Sequence, residues 1–387
     1  MVEIVKQIQF QSMFVEAHIA DLHFGVMDPR IEYNILREQF VNYLAQMNVL
    51  DIICIEGDLF DHKFLASSDV IMYVNMFITD LVNICRMKDA TLILISGTGS
   101  HDADQMRMFY HLTLLDDVDV RVVTEMKFVY VKGKKILCIP ELYNKGEVYY
   151  NRFLVFSGFY DACYMHGTFK GAIRNKNERD LNSIREPVFD MSDFDSCLGP
   201  IISGHNHVHS IYNEDFFYCG SPIRWMFGEE QQKGFIILLH DIKTRHYHVH
   251  FEPVVSFRYD TITLDNMLNN DLNTIIQYID MVKSTGVDHL RVMFNAKDCN
   301  KIALLKSYYR NIRDITIQTN YERESVATRL SEMEEIYKNE YSYLFDPNLG
   351  YEEKLVRYMN SHHDIELSGV FWTVDEFRQF IEDIKNL

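Results

Sequence analysis

The sequence predicts an α/β fold followed by a second, smaller α/β unit, and three observations carry that prediction. From Val15 to about Cys219, short apolar runs of β character alternate with longer stretches of helical periodicity, the rhythm of a sheet with helices on its faces. Clusters of Asp, His and Gly follow the β-like runs, where open α/β sheets place their sites. Near Glu252-Pro253 the pattern breaks off and restarts with shorter elements.

Taken in order, Phe14 to Ala20 reads as a strand, Ile31 to Leu50 as a helix and Asp51 to Glu56 as a buried strand. A helix at Asp69 to Met87 leads to a strand at Thr91 to Ser96. Later strands are expected at Lys135 to Ile139, Asp161 to Met165, Leu198 to Ser203, Phe216 to Cys219 and Gly234 to His240. The second unit reads as strand Phe257 to Leu264, helix Asp271 to Ser284, strand His289 to Phe294, helix Lys301 to Tyr309 and strand Asp314 to Thr319. After Tyr321 the chain turns helical and acidic, broken once at Asp346-Pro347-Asn348-Leu349-Gly350. The domain boundaries implied are 1–255, 256–322 and 323–387.

Composition narrows the class. Hydrophobic residues at 47% and charged residues at 24% describe an ordinary globular chain. No uninterrupted apolar run approaches the roughly 18 residues of a membrane span, and Met1 to Gln11 lacks the apolar core of a signal peptide. A cytoplasmic place, or a nuclear one, is therefore expected. The seven cysteines form no C-x-x-C pair, and most sit inside apolar runs such as Ile52-Ile53-Cys54-Ile55, so buried reduced thiols are expected. A net charge of −18 excludes a protein that grips DNA with its whole surface. It leaves room for a nuclease whose phosphate contacts are local.

Five elements in a fixed order carry the chemistry. They are Asp21-Leu22-His23, Gly57-Asp58-Leu59-Phe60-Asp61, Gly99-Ser100-His101-Asp102, the lone His166, and Gly204-His205-Asn206-His207. Paired histidines arise by chance in a chain with 16 of them; the ordered set, each member closing a strand, does not. Asp and His offer mixed oxygen and nitrogen donors, which suit manganese, iron or zinc rather than calcium. Asp61 is read either as a carboxylate behind the ligands or as a helix cap or turn residue. His18 and His62 fit no ligand position. His246, His248 and His250 alternate along a strand and read as an exposed polar face, since no carboxylate or Cys completes a set.

This order resembles that of the calcineurin-like metallophosphoesterases. The resemblance implies a β-sandwich flanked by helices, with a small α/β capping domain and C-terminal helices. It also implies two metals, one held by Asp21, His23, Asp58 and His207, the other by the bridging Asp58, His166, His205 and the residue at position 100. His101 would act as general acid at the leaving oxygen, with Asp102 orienting its ring. One departure stands out: the superfamily has Asn before the catalytic His, where this chain has Ser100. A Ser hydroxyl is a shorter and poorer donor, so the second metal is expected to bind weakly unless the pocket is rebuilt around Ser, with Thr98 or a water filling the gap.

The block Tyr218-Cys219-Gly220-Ser221-Pro222-Ile223-Arg224, then Phe227-Gly228-Glu229-Glu230 and Lys233-Gly234-Phe235, resembles that of the SbcD-type recombination nucleases. These pair with an SbcC-type, SMC-like ATPase in double-strand-break processing. The likeness covers about residues 13 to 255 and implies manganese-dependent cleavage of DNA, with magnesium as the alternative ion. Lys170, Arg174, Lys176 and Arg179 follow His166 and are candidate phosphate contacts; a solvated loop is the plain alternative. Near the end, Thr373 and Glu376 match a capping box, and Val374, Phe377, Phe380, Ile381 and Ile384 form an apolar stripe, a candidate ATPase-binding face or a face packed on the chain itself. A homodimer is expected by resemblance, with Met72, Phe77 and Ile78 as its face if they are not core. The competing readings are a phosphatase or cyclic-nucleotide phosphodiesterase, and a scaffold that has lost catalysis at Ser100.

Overall fold

The computed structural model describes residues 12–143, 145, 147–155, 158–170, 188–295, 300–312 and 314–319, with single positions beyond at 343, 349, 350, 353, 354, 356, 357 and 379. The chain divides into two compact units, Met1–Asp260 with Lys283–His289, and Thr261–Val282 with Leu290–Leu387.

The first unit holds two six-stranded sheets. Its strands are β1 (Met13–Ile19), β2 (Ile52–Glu56), β3 (Thr91–Ile95), β4 (Asp119–Val123), β5 (Lys127–Val131), β6 (Lys134–Ile139), β7 (Ala162–His166), the short β8 (Thr168–Phe169) and β9 (Val188–Phe189), β10 (Ile201–Gly204), β11 (Ser210–Asn213), β12 (Phe216–Tyr218), β13 (Gly234–Asp241) and β14 (His246–Pro253). One sheet runs β14-β13-β1-β2-β3-β4 and the other β11-β12-β10-β7-β6-β5. β1 to β4 are mutually parallel, as are β6, β7, β10 and β12.

The period of two in each apolar run explains the layering. In β2 and β3, Ile53, Ile55, Leu92 and Leu94 face a core shared with the helices. Their neighbours Ile52, Cys54, Ile93 and Ile95 face the second sheet, meeting Ile136, Cys138, Tyr164 and Ile202. The other face of that sheet buries Leu137, Ile139, Cys163 and Met165 under Tyr150 and Leu154 of the helix Glu147–Leu154. Both faces of the central strands are buried, so these runs read as continuously apolar. The alternating pattern implies a sheet with helices on its faces; the two interleaved sets of side chains pair two such sheets face to face.

The helical elements follow their local signals. α1 (Pro29–Leu36) opens with Asp28 accepting from the Arg30 amide at 2.9 Å, and Pro29 supplies its first turn. A π-helical segment, Arg37–Val41, continues into α2 (Asn42–Gln46). The run thus ends at Gln46 rather than Leu50, because Met47 turns extended. α3 (Asp69–Lys88) is capped by Ser68 and stopped by Asp89 in the left-handed conformation. By length and composition α3 is long enough to cross a membrane, yet half of its apolar window is buried. Val74, Phe77, Leu81 and Cys85 are fully buried and Ile78 nearly so, each large side chain contributing about 1.5–3 kcal/mol. That placement corrects the expected dimer face: Phe77 and Ile78 belong to the core, and the large apolar side chains that α3 exposes are Met72, Met76 and Met87.

In the second unit, β15 (Tyr259–Thr263), β16 (His289–Phe294) and β17 (Ile315–Thr319) form a three-stranded sheet, with β16 and β17 parallel. Its helices are Leu272–Ser284 and Asn300–Tyr309. Cys54, Cys85, Cys138, Cys163 and Cys219 are buried and free, and Cys197 is free and partly buried, as reduced interior thiols should be. On the edge strand β14, His246, His248 and His250 are exposed.

Candidate metal centre

Parallel strands end on the same edge of a sheet, so the loops after β1, β2 and β3 meet those after β6, β7 and β10 across the sandwich. Backbone pairing fixes the first two loops: the Asp21 amide donates to the Gly57 carbonyl at 3.1 Å, His23 to Asp58 at 2.9 Å and Phe24 to Leu59 at 3.0 Å. Asp21, His23, Asp58 and His205 all lie at positive φ, between 50° and 87°. Four non-glycine residues in that strained region at one site mark a backbone bent to aim side chains inward. Gly57, at φ 81°, has no room for a Cβ, which would come 2.3 Å from Nδ1 of His166.

Two sets of donors converge. In the first, Nε2 of His23 lies 3.2 Å from Nε2 of His207 and 3.7 Å from Oδ2 of Asp58, with Asp21 within reach of both rings. In the second, Nε2 of His166 lies 3.3 Å from the same Asp58 oxygen and 3.6 Å from Oε2 of Glu141. That Glu141 oxygen is 3.2 Å from Nδ1 of His205. Metal–ligand bonds of about 2.0–2.2 Å put neighbouring donors about 2.8–3.6 Å apart, so the spacing in both sets fits a cation. Asp58 is common to the two. Outer contacts hold the rings: Nδ1 of His166 donates to the Glu56 carbonyl at 2.7 Å, and Nε2 of His205 pairs with Thr168 at 3.0 Å. The His205 amide donates to both oxygens of Asp21, at 2.9 and 3.1 Å.

The electrostatics point the same way. Burial pushes Asp21 up to about 7, and the charge of Asp58 adds to this against His166 and the His205 amide. Burial depresses the His166 imidazole, but Asp58, Asp21 and Glu141 outweigh it and raise the ring well above its ordinary range. Burial, His23 and Lys233 hold His207 well below its own, the neutral form a metal ligand needs. Three carboxylates facing one small buried space call for positive charge.

The structure corrects two expectations. Ser100 is exposed in the turn after β3; it is Thr98 that faces the donors. Its hydroxyl lies 3.1 Å from Asp58, 3.2 Å from Glu141 and 3.3 Å from His166, and its amide donates to Asp58 at 2.6 Å. Nor does Asp102 orient the His101 ring. Buried completely, its carboxylate accepts from the amides of Gly97 at 2.7 Å, Asp58 at 3.0 Å and Phe60 at 3.1 Å. It ties the β2 and β3 loops together. Nδ1 of His101 pairs instead with the Asp61 carbonyl, and its ring sits 4.6 Å from that of His23. Asp61 stands beside His23, its carboxylate 3.7 Å from Nδ1 of that ring.

Two contributors escaped sequence reasoning. Glu141 follows the apolar strand β6 as the other ligand residues follow theirs, and Pro140-Glu141 at a strand end was the available signal. The other is Trp225, in the wall formed by the block after Tyr218. Trp225 packs edge-on against His23 and His207 at 5.0 and 5.1 Å. A buried Glu229–Lys233 pair at 2.7 Å holds that wall: Glu229 accepts from the Trp225 amide at 2.9 Å, and Lys233 donates to the His207 carbonyl at 3.1 Å and to Ser221 at 2.7 Å. Left out of the ligand set, His18 sits in the interior between the sheets, 2.6 Å from Glu56. His62 is exposed beside Asp61.

Lys170 is exposed just past β8, while Arg174, Lys176 and Arg179 lie outside the described residues. So do Val374, Phe377, Phe380, Ile381 and Ile384.

No family model matches this chain, and no curated protein matches it. Among solved structures 28 chains match. One has a TM-score of 0.38 and 11% identity, over 62% of this chain and 99% of its own; a likeness that distant carries no argument.

Proposed function

We propose that this chain is a metal-dependent phosphodiesterase acting on DNA, the nuclease subunit of a complex with an SMC-like ATPase, as its SbcD-type resemblance implies. The observation that carries the catalytic part is the pair of donor sets sharing Asp58, each spaced as a divalent cation requires. The resemblance implies manganese, with magnesium as the alternative, and the mix of carboxylates with imidazoles suits manganese. Two such ions, when bound, would supply a nucleophilic water at neutral pH and neutralise charge on the phosphate.

The chain's own groups do the rest. Asp58, Asp21 and the rings of His23, His207, His166 and His205 would hold the ions. The buried outer contacts of His166 and His205 keep those rings from turning. His101 stands at the rim, partly exposed, with Nδ1 engaged by the Asp61 carbonyl. That bond leaves its other nitrogen to donate a proton to the departing oxygen. Trp225 and the Glu229–Lys233 pair close one side of the site. The DNA and ATPase assignments rest on the Tyr218 to Phe235 block, which also has a physical role in this chain, since it positions His207 and walls the site.

Metal counting together with cleavage tests the proposal. Elemental analysis after gel filtration should find two equivalents of manganese, and labelled single-stranded and duplex DNA should be cut only with metal. Asp58→Asn should lose both while keeping its far-ultraviolet circular dichroism. Cleavage undiminished in that variant would reject the assignment.

A further inference from the structure

Resting on the two-metal reading, we infer that Glu141 is itself a ligand of the second cation, with the Thr98 hydroxyl beside it, in the place where the resemblance has a neutral amide. Oε2 of Glu141 makes the argument by position. It lies 3.2 Å from Nδ1 of His205, 3.6 Å from Nε2 of His166 and 3.2 Å from Oγ1 of Thr98. These are the separations of donors on one ion. The carboxylate is buried, 5% exposed, and Oε1 is taken up by the Tyr143 hydroxyl, which leaves Oε2 turned toward the rings. Tyr143 is the outer contact that aims it, reached in turn by the Gly99 amide at 3.4 Å. The loop is pinned to the end of β3, because the Glu141 amide donates to the Ser96 carbonyl at 3.3 Å.

A third carboxylate changes the character of the centre. Asp21 and Asp58 alone, with a neutral amide, would offset half the charge of two divalent ions; with Glu141 the three carboxylates would offset three quarters. A hard, charged oxygen donor also favours manganese or magnesium over zinc at that position. The loss of the superfamily amide therefore does not leave the second position short of a ligand.

Manganese binding measured by titration calorimetry separates the outcomes. Wild type should bind two equivalents. In Glu141→Gln, which keeps an acceptor for Tyr143 but loses the charge, the second should weaken at least ~10-fold, the lower figure for losing even an outer partner of a ligand. Glu141→Ala should weaken it further, with the first equivalent unchanged in both. Two equivalents bound by Glu141→Gln as tightly as by wild type would overturn the inference and leave the two-metal reading standing. No manganese bound by wild type would overturn that reading and this inference with it. If neither variant folds, wild type isotopically labelled in its glutamate carboxyls serves instead. Electron–nuclear double resonance should then show a labelled carbon coupled to bound manganese, and its absence would overturn the ligand role.

Discussion

Replacing Asp102 by Asn tests whether that carboxylate builds the site or takes part in the chemistry. The side chain is buried completely and accepts three backbone amides, from Gly97, Asp58 and Phe60. Asn keeps the shape but retains one acceptor oxygen. If that oxygen keeps Gly97 and Asp58, both on Oδ2 in wild type, the new amide group faces the Phe60 amide, donor against donor. An abandoned buried N–H costs about 1–3 kcal/mol. Above about pH 7, to which burial and the charge of Asp58 push the Asp102 carboxyl, the two bonds that remain pass from a charged to a neutral acceptor and weaken by roughly half, about 1 kcal/mol each. The total is about 3–5 kcal/mol, and the two loops that carry Asp58 and Thr98 come loose together. Urea denaturation followed by circular dichroism should show a lower midpoint with an unchanged slope, accompanied by weaker manganese binding. A variant with wild-type stability and metal affinity, but reduced turnover, would refute this reasoning and return Asp102 to a role beside His101.

Other outcomes follow from the same geometry. His101→Ala should lower turnover by about two to four decades, the range of general acid catalysis, with both manganese equivalents kept by elemental analysis; loss of an equivalent would count against its role. Between the sheets, Lys134 is fully buried and bonds Glu16 and the Tyr164 hydroxyl, the latter at 2.8 Å. Lys134→Met should cost about 3–5 kcal/mol by stranding a buried carboxylate, and Glu16→Leu added to it should recover most of that in thermal unfolding. Burial, with Asp61 adding and the Gly25 amide opposing, raises Glu32 well above 4.5. The native state therefore holds a proton that the unfolded chain gives up above that pH, and stability falls as pH rises. The melting temperature of Glu32→Gln relative to wild type should climb between about pH 5 and pH 8; a constant difference would refute the shift.

The sequence by itself determined the α/β class, the strands near each ligand motif and the order of Asp21, His23, Asp58, His166, His205 and His207. Local rules suffice for these, since apolar periodicity sets the strands and parallel strands deliver their C-terminal loops to one edge. Tertiary structure decided what local pattern cannot encode. Phe77 and Ile78 follow an apolar periodicity shared by cores and interfaces, and only packing made them core. An acidic residue after a strand reads alike whether it ligates, caps or ties loops. Glu141 joined the histidines because β6 lies beside β7 in the second sheet, and Asp102 faced three amides because the β2 and β3 loops cross there. Ser100 sits next to His101 in sequence, yet the backbone between Gly97 and His101 turns Thr98 inward instead. Which side chain faces the donor cluster depends on backbone direction at a single residue, and that is set by hydrogen bonds between loops distant in the chain.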